Sequence, residues 1–335
     1  MSLKLNSISN NTFSIEDLQC LVKNELIGVD QIIDQSLKSD ISLIESIAKH
    51  IIYAGGKRIR PLLSLIAAKT FNPDIQRETL YLATAVEFIH TATLLHDDVI
   101  DDSNLRRGLE TAHKIWGNSA SILVGDYLFA RAFELMVKTN NLTILNILSQ
   151  TSAKIAAGEV LQLLHNQSFE IDEKTALDII GAKTAELFAA ACQTGALAGG
   201  ADTNQTQILH RYGYALGMAF QITDDILDYT SALNRGKNLG DDFSERKITL
   251  PVIYAYHNAS IIDKNRLTLL FAETNDSSDD FSIALEIIQQ NGGFDTAYAA
   301  ARQFAEQALE SLKFINSPLT HSLENLITFC LERKV

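Results

Sequence analysis

The sequence predicts an all-α fold, a single-domain helical bundle. Two observations predict it. Only 4 prolines and 17 glycines punctuate 335 residues, below the usual shares of both. Between them, Ala, Leu, Ile, Glu and Gln dominate long unbroken stretches in which apolar residues return at helical spacing.

The elements follow in order. Residues 1–13 read as a flexible extension, and Ser14 is a plausible N-cap before Glu16 and Asp17. A segment from Ile41 to Tyr53 stops at Gly55-Gly56, and Pro61 sits in the first turn of the next, which runs to Phe71. Helices are expected near 76–101, 111–138, 141–166, 172–198 and 205–230. Shorter ones follow near 249–258, 278–291, 294–313 and 318–333. The long irregular stretch is Ser231 to Arg246, a length that inside a compact domain often marks a functional lid. Asp276 to Asp280 reads as a surface connection.

The formal charge of −13 argues against a nucleic-acid partner, which needs a basic face. It leaves anionic small substrates open, since local charge decides those. Cys20, Cys192 and Cys330 lack metal or disulfide spacing and fit a reducing compartment. No signal peptide and no run of membrane-spanning length is visible, so a cytoplasmic protein is expected.

Two clusters repeat one pattern: Asp97-Asp98-Val99-Ile100-Asp101 and Asp224-Asp225-Ile226-Leu227-Asp228. Each closes an apolar helical stretch, where the helix's negative end repels carboxylates. A cation is the natural compensation. The first and third Asp of each cluster share a helix face, and Mg²⁺ takes one or two carboxylates while keeping sites for water and phosphate. Gln221, Asp224, Asp225 and Asp228 form a polar stripe among apolar neighbours. Asp102 reads as a solvated helix end.

Basic residues gather at loops: Lys57, Arg58 and Arg60, then Arg106 and Arg107, then Lys237, Arg246 and Lys247. Singly each reads as a surface charge; grouped beside glycines and aspartates they suit diphosphate oxygens. His90 shares the face of Asp97, as a site residue or a satisfied core histidine. His96-Asp97 without partner histidines is a weak metal-hydrolase signal. Lys183-Thr184 either meets phosphate or faces solvent. There is no P-loop, dinucleotide fingerprint or nucleophile elbow.

Gly55-Gly56-Lys57-Arg58-Ile59-Arg60-Pro61, the first Asp cluster with Arg106-Arg107-Gly108, Lys183-Thr184, and Phe220 through Asp228 occur in one order. In that order they resemble the trans-isoprenyl diphosphate synthases of the polyprenyl synthetase family, within it the bacterial octaprenyl diphosphate synthases. The resemblance implies the isoprenoid synthase fold around a large central cavity, and two to three Mg²⁺ ions. By the same resemblance Lys57, Arg60, His90 and Arg107 hold isopentenyl diphosphate. Asp97, Asp101 and Asp224 are metal ligands, supported by Asp98, Asp225 and Asp228. Arg106, Lys183, Thr184, Gln221, Lys237 and Lys247 contact the allylic diphosphate, and the chain pairs as a homodimer. The family usually has glycine where this chain has Arg246, which puts the lid's local shape in question.

The implied reaction condenses isopentenyl diphosphate with an allylic diphosphate, most readily farnesyl diphosphate, to a long-chain product near eight isoprene units for quinone side chains. Ala92 and Thr93 are small where short-chain members commonly place an aromatic. A tail would pass them toward Ile89 and Val86 along a helix about 39 Å long, with Phe133 or Met136 as the floor. Competing readings are a shorter-chain synthase, a terpene cyclase, which has no use for Lys57 and Arg60, and a non-catalytic helical subunit.

Overall fold

The computed structural model describes residues 14–166, 168–230, 240–272 and 278–332. Residues 1–13, Lys237 and most of the expected 231–246 lid lie outside these residues. The chain opens with α1 (Ile15–Leu21), entered where the Ser14 backbone N–H donates to Asp17 Oδ2 at 2.9 Å. α2 (Lys23–Leu37), α3 (Ser42–Ile52), α4 (Ile59–Phe71) and α5 (Arg77–Ile100) follow. A two-residue antiparallel hairpin, β1 (Leu105–Arg106) with β2 (Leu109–Glu110), comes next.

The stretch expected as one helix over 111–138 is two, α6 (Ala112–Trp116) and α7 (Asn118–Lys138). Gly117 between them has φ 85, a backbone that ends a right-handed helix and that glycine adopts freely. α8 (Leu142–His165) starts at Asn141, whose side chain accepts from the N–H groups of Thr143 and Ile144. α9 (Glu173–Ile180) is capped by Asp172 in the same way. The expected 172–198 helix is interrupted by a π-helical turn, Gly181–Ala185, before α10 (Glu186–Ala198). Such turns insert one residue and often sit at functional sites.

α11 (Thr203–Thr230) is the longest element, followed by the short α12 (Asp241–Ser244) and by α13 (Leu250–Asn258) with Pro251 in its first turn. α14 (Ile261–Ala272) was not anticipated; its exposed Ile261, Ile262 and Leu269 blur the helical period. α15 (Ser278–Gln290) begins inside the expected surface connection, and α16 (Gly293–Leu312) and α17 (Thr320–Glu332) complete the chain.

α5 packs against α2, α4, α7 and α10, and α11 packs between α10 and α16. Both helices are buried along most of their length, with Leu82, Val86, Phe88 and Leu95 of α5 and Leu209, Tyr212, Leu216 and Ala219 of α11 within the largest apolar core. That burial, at roughly 25 cal/mol per Å², fixes the two helices that carry the aspartate clusters.

Candidate functional site

The C-terminal halves of α5 and α11 open onto one cavity of about 1250 Å³. α5 supplies Glu87, His90, Thr93, Leu94, Asp97 and Asp101, and α11 supplies Phe220, Gln221, Asp224, Asp225, Leu227 and Asp228. The loop before α4 and the first turn of α4 bring Lys57 and Arg60, the β1–β2 hairpin brings Arg106 and Arg107, the segment before α13 brings Lys247, and the π turn brings Lys183 and Thr184. Two sequence-distant acidic sets and the basic loops therefore share one hollow.

The first acidic set is neutralised by the protein's own cations. Lys247 Nζ lies 2.7 Å from Asp101 Oδ2, and Lys183 Nζ lies 3.6 Å from Asp97 Oδ2. Burial pushes the Asp97 pKa up, against the pull of Lys183. Asp98 does not line the cavity. It is 1% exposed, and its Oδ1 alone accepts from both Nε and Nη2 of Arg106 at 2.6 Å, a charge-assisted pair. Its structural place is behind Arg106.

The second set is a relay along α11. Thr184 Oγ1 donates to Gln221 Oε1 at 2.9 Å, and Gln221 Nε2 donates to Asp225 Oδ1 at 2.8 Å. Asp228 Oδ2 accepts the Asp242 backbone N–H at 2.9 Å, which brings α12 onto the cavity rim. Asp225 is buried, and burial with Asp242 nearby holds its pKa well above the carboxylate range.

The basic side is built around His90. Arg60 Nη1 lies 3.1 Å from His90 Nε2. Arginine only donates, so this nitrogen accepts and the ring is the neutral tautomer protonated at Nδ1. Burial first, then Arg60 and Arg107, pushes the His90 pKa well down. Burial lowers the Arg60 pKa to about 10, and its Nε has no hydrogen-bond partner. Arg107 donates to the Gly55 carbonyl, and Lys57 sits 4.4 Å over the Phe329 ring of α17. A buried, underpaired guanidinium facing a cavity is a natural anion seat.

Four residues at the site carry no motif. Glu87 is buried among Arg58, Arg60 and Arg107, with its pKa raised by burial. Glu159 and Gln162 of α8 face Lys183, and Glu245 accepts from Ser103 Oγ at 2.6 Å while pairing with Lys247. Glu87, Glu159 and Gln162 are isolated polar residues in apolar helical stretches, and Glu245 is one charge among several in 241–247, so only the fold reveals their places.

Of the chain-length candidates, Thr93 lines the cavity. Ala92, Ile89, Val86 and Met136 are fully buried in the main core. Phe133 is 41% exposed on α7, a surface position rather than a cavity floor. A 3.6-residue period places Ala92 and Thr93 about 100° apart, which is why only one of two neighbours reaches the hollow.

Among the described residues no three acidic, imidazole or thiol side chains converge as a ready metal cage. All-oxygen donors in ones and twos, held apart by lysines, fit Mg²⁺ brought in with phosphate rather than a transition-metal site.

The polyprenyl synthetase family model matches residues 41–288. The chain belongs to the polyprenyl synthetase family. It is a prenyltransferase, a long-chain trans-prenyl diphosphate synthase, with the all-α isoprenoid synthase fold. The synthase is 39% identical to the all-trans-nonaprenyl-diphosphate synthase (geranyl-diphosphate specific) of Rhodobacter capsulatus, over 95% of this chain and 98% of the relative. It is 35% identical to the octaprenyl diphosphate synthase of Escherichia coli, over 96% and 99%. Its fold matches a polyprenyl synthase of Caulobacter crescentus complexed with calcium and isoprenyl diphosphate, with TM-score 0.92 and 42% identity, covering 98% of this chain and all of that one.

Proposed function

We propose that the synthase condenses isopentenyl diphosphate with farnesyl diphosphate, head to tail, to octaprenyl diphosphate for quinone side chains. The observation that carries this reading is one cavity shared by Asp97 and Asp101, by Asp224, and by a separate basic group of Lys57 and Arg60 at the start of α4 with Arg107 of the β1–β2 turn. One acidic-lined end and one arginine-lined end suit two different diphosphates. A long chain is supported by the relatives named for octaprenyl and nonaprenyl products and by small Thr93 at the cavity wall, and eight units by the relative of Escherichia coli.

Asp97, Asp101 and Asp224 would hold Mg²⁺, two to three ions in all. When bound, Mg²⁺ neutralises charge on the allylic diphosphate as it leaves. The calcium in the Caulobacter relative is a hard cation with the same preference for oxygen ligands. Arg106, Lys183, Thr184, Gln221 and Lys247 grip the diphosphate oxygens, and Lys237 would join them from outside the described residues. Arg60, Arg107, Lys57 and neutral His90 orient isopentenyl diphosphate so that its double bond faces the developing allylic cation. The new carbon–carbon bond leaves a cation that loses a proton to the departing diphosphate, so no protein base is needed. Keeping water out of the cavity during the reaction would prevent it from quenching the cation.

The synthase acts as one domain, in the cytoplasm, and no described helix is long and apolar enough to cross a membrane. A homodimer is supported by the exposed Leu123, Phe133 and Val137 of α7 beside Val160, Leu163 and Leu164 of α8. The test is incubation with farnesyl diphosphate, isopentenyl diphosphate and Mg²⁺, followed by chromatography of the dephosphorylated lipids. An Mg²⁺-dependent product of eight units is expected; no elongation would reject the activity, and another length would reject only the product.

A further inference from the structure

Glu159 belongs to no motif, yet the fold is shaped to bring it to Lys183. Its neighbour Gly158 lies where α8 crosses the π turn. A Cβ there would stand 2.7 Å from the Ala182 Cβ and 3.2 Å from the Lys183 backbone nitrogen. Only glycine allows that approach. Within the π turn the two neighbouring side chains diverge: Thr184 turns to Gln221 on α11, and Lys183 turns to α8.

Lys183 Nζ then meets Glu159 Oε2 at 2.8 Å, Gln162 Oε1 at 3.3 Å and Asp97 Oδ2 at 3.6 Å. The shortest of the three contacts is to Glu159. The ammonium is thus anchored from behind by α8 and offered toward the first acidic set. Glu159 Oε1 is buried against the cavity with no hydrogen-bond partner. Buried carboxylate oxygens are seldom left unpaired, and a water carried in by a metal–diphosphate complex is a donor of the right kind.

We infer that Glu159 is a positioning residue for the allylic diphosphate end of the site: it aims Lys183 at the diphosphate and leaves one oxygen for the hydration shell of the accompanying cation. The inference rests on the assignment of Lys183 to that diphosphate. A carboxylate in this role costs affinity for a bare anion and favours an anion that arrives with its metal. That distinguishes it from a residue that merely fills space.

The test compares Glu159→Ala and Glu159→Gln with Lys183→Ala in the full-length chain. Calorimetry with inorganic pyrophosphate, with and without Mg²⁺, gives a readout independent of turnover. Glu159→Ala should weaken Mg²⁺-pyrophosphate binding and raise KM for farnesyl diphosphate by about tenfold, one charge-assisted hydrogen bond. KM for isopentenyl diphosphate should stay within about twofold. Glu159→Gln keeps the acceptor for Lys183 and nearly the same volume, so it should recover part of the loss and hold the parent's melting temperature. Unchanged binding and KM in both Glu159 variants, with Lys183→Ala impaired, overturns the inference alone. Lys183→Ala at the parent's level overturns both the inference and the site assignment beneath it.

Discussion

The Lys247 ammonium lies 2.7 Å from Asp101 Oδ2, a salt bridge that ties the segment between α12 and α13 to the end of α5. Burial opposes its charge, but Asp101, Asp242 and Glu245 outweigh burial and raise its pKa. The lysine therefore stays charged and holds the carboxylate that a cation would take. A metal-bound diphosphate would replace Lys247 at Asp101 and give it phosphate oxygens instead. Lys247→Ala should lower kcat by about 10²-fold, the scale of losing one positioned electrostatic contact. KM for isopentenyl diphosphate should hardly move. Steady-state kinetics in both substrates checks this, and an unchanged kcat would refute it.

Asp97 and Asp98 are adjacent but should respond oppositely. Asp98→Ala leaves Arg106 largely buried without its partner, which costs on the order of 3 kcal/mol, visible in a thermal melt. Asp97→Ala removes a carboxylate whose burial is itself unfavourable. Its melting temperature should hold or rise while turnover collapses. Equal destabilisation by both variants would defeat this division of labour.

What was legible depended on how local the signal was. The aspartate clusters, the Gly55–Arg60 loop and Lys183-Thr184 announce themselves within a few residues, and all of them reach the cavity except Asp98. Glu159 meets Lys183, and Glu245 meets Ser103, only after segments distant in sequence pack, so no short window of sequence contains either pairing. Helix existence was readable from period and capping. The π turn was not, because Gly181–Ala185 keeps helical composition while its hydrogen bonds shift. Phe133 shows the same limit: its helix was foreseen, and its exposed direction was not.

Arg246 stands where the backbone has φ 60, in the left-handed region. A glycine here would avoid a cost of about 1 kcal/mol. Here the side chain compensates: Nη1 donates to the Leu270 carbonyl at 3.2 Å, and the guanidinium lies 5.2 Å over the Phe243 ring. Arg246→Ala keeps the unfavourable backbone and loses both contacts, whereas Arg246→Gly loses the contacts and relieves the backbone. Glycine should exceed alanine in stability by about 1 kcal/mol, read from chemical denaturation. An alanine variant as stable as glycine would contradict the left-handed assignment.

His90 gives the site a pH signature. The unfolded chain takes up a proton near pH 6.5, while burial and the neighbouring arginines keep the folded imidazole neutral well below that. The stability tied to neutral His90 is present above the unfolded pKa and is lost as pH falls toward the folded one. Glu87 runs the other way, since burial raises its pKa, so single melts mix the two. The difference between the parent and His90→Gln isolates the histidine. It should shift in the variant's favour as pH drops from about 7.5 to about 5.5. A pH-independent difference would mean that the ring titrates alike in both states.

Thr93 and Ala92 separate product length from packing. Thr93 lines the cavity and donates to the His90 carbonyl at 2.7 Å, so its side chain stands beside any tail that grows along α5. Ala92, one residue away, is fully buried in the apolar core. Thr93→Phe places a ring in the hollow, where there is volume to receive it, and should shorten the product with little change in melting temperature. Ala92→Phe forces a ring into packed core at a cost of about 1–3 kcal/mol, and any effect on length should follow from that distortion. Chromatography of the dephosphorylated products, run beside thermal melts of both variants, reads the two effects separately. Full-length product from a well-folded Thr93→Phe would show that the tail leaves the cavity by another wall, and the apolar one formed by Ile179, Ile180 and Phe220 would be the next to test.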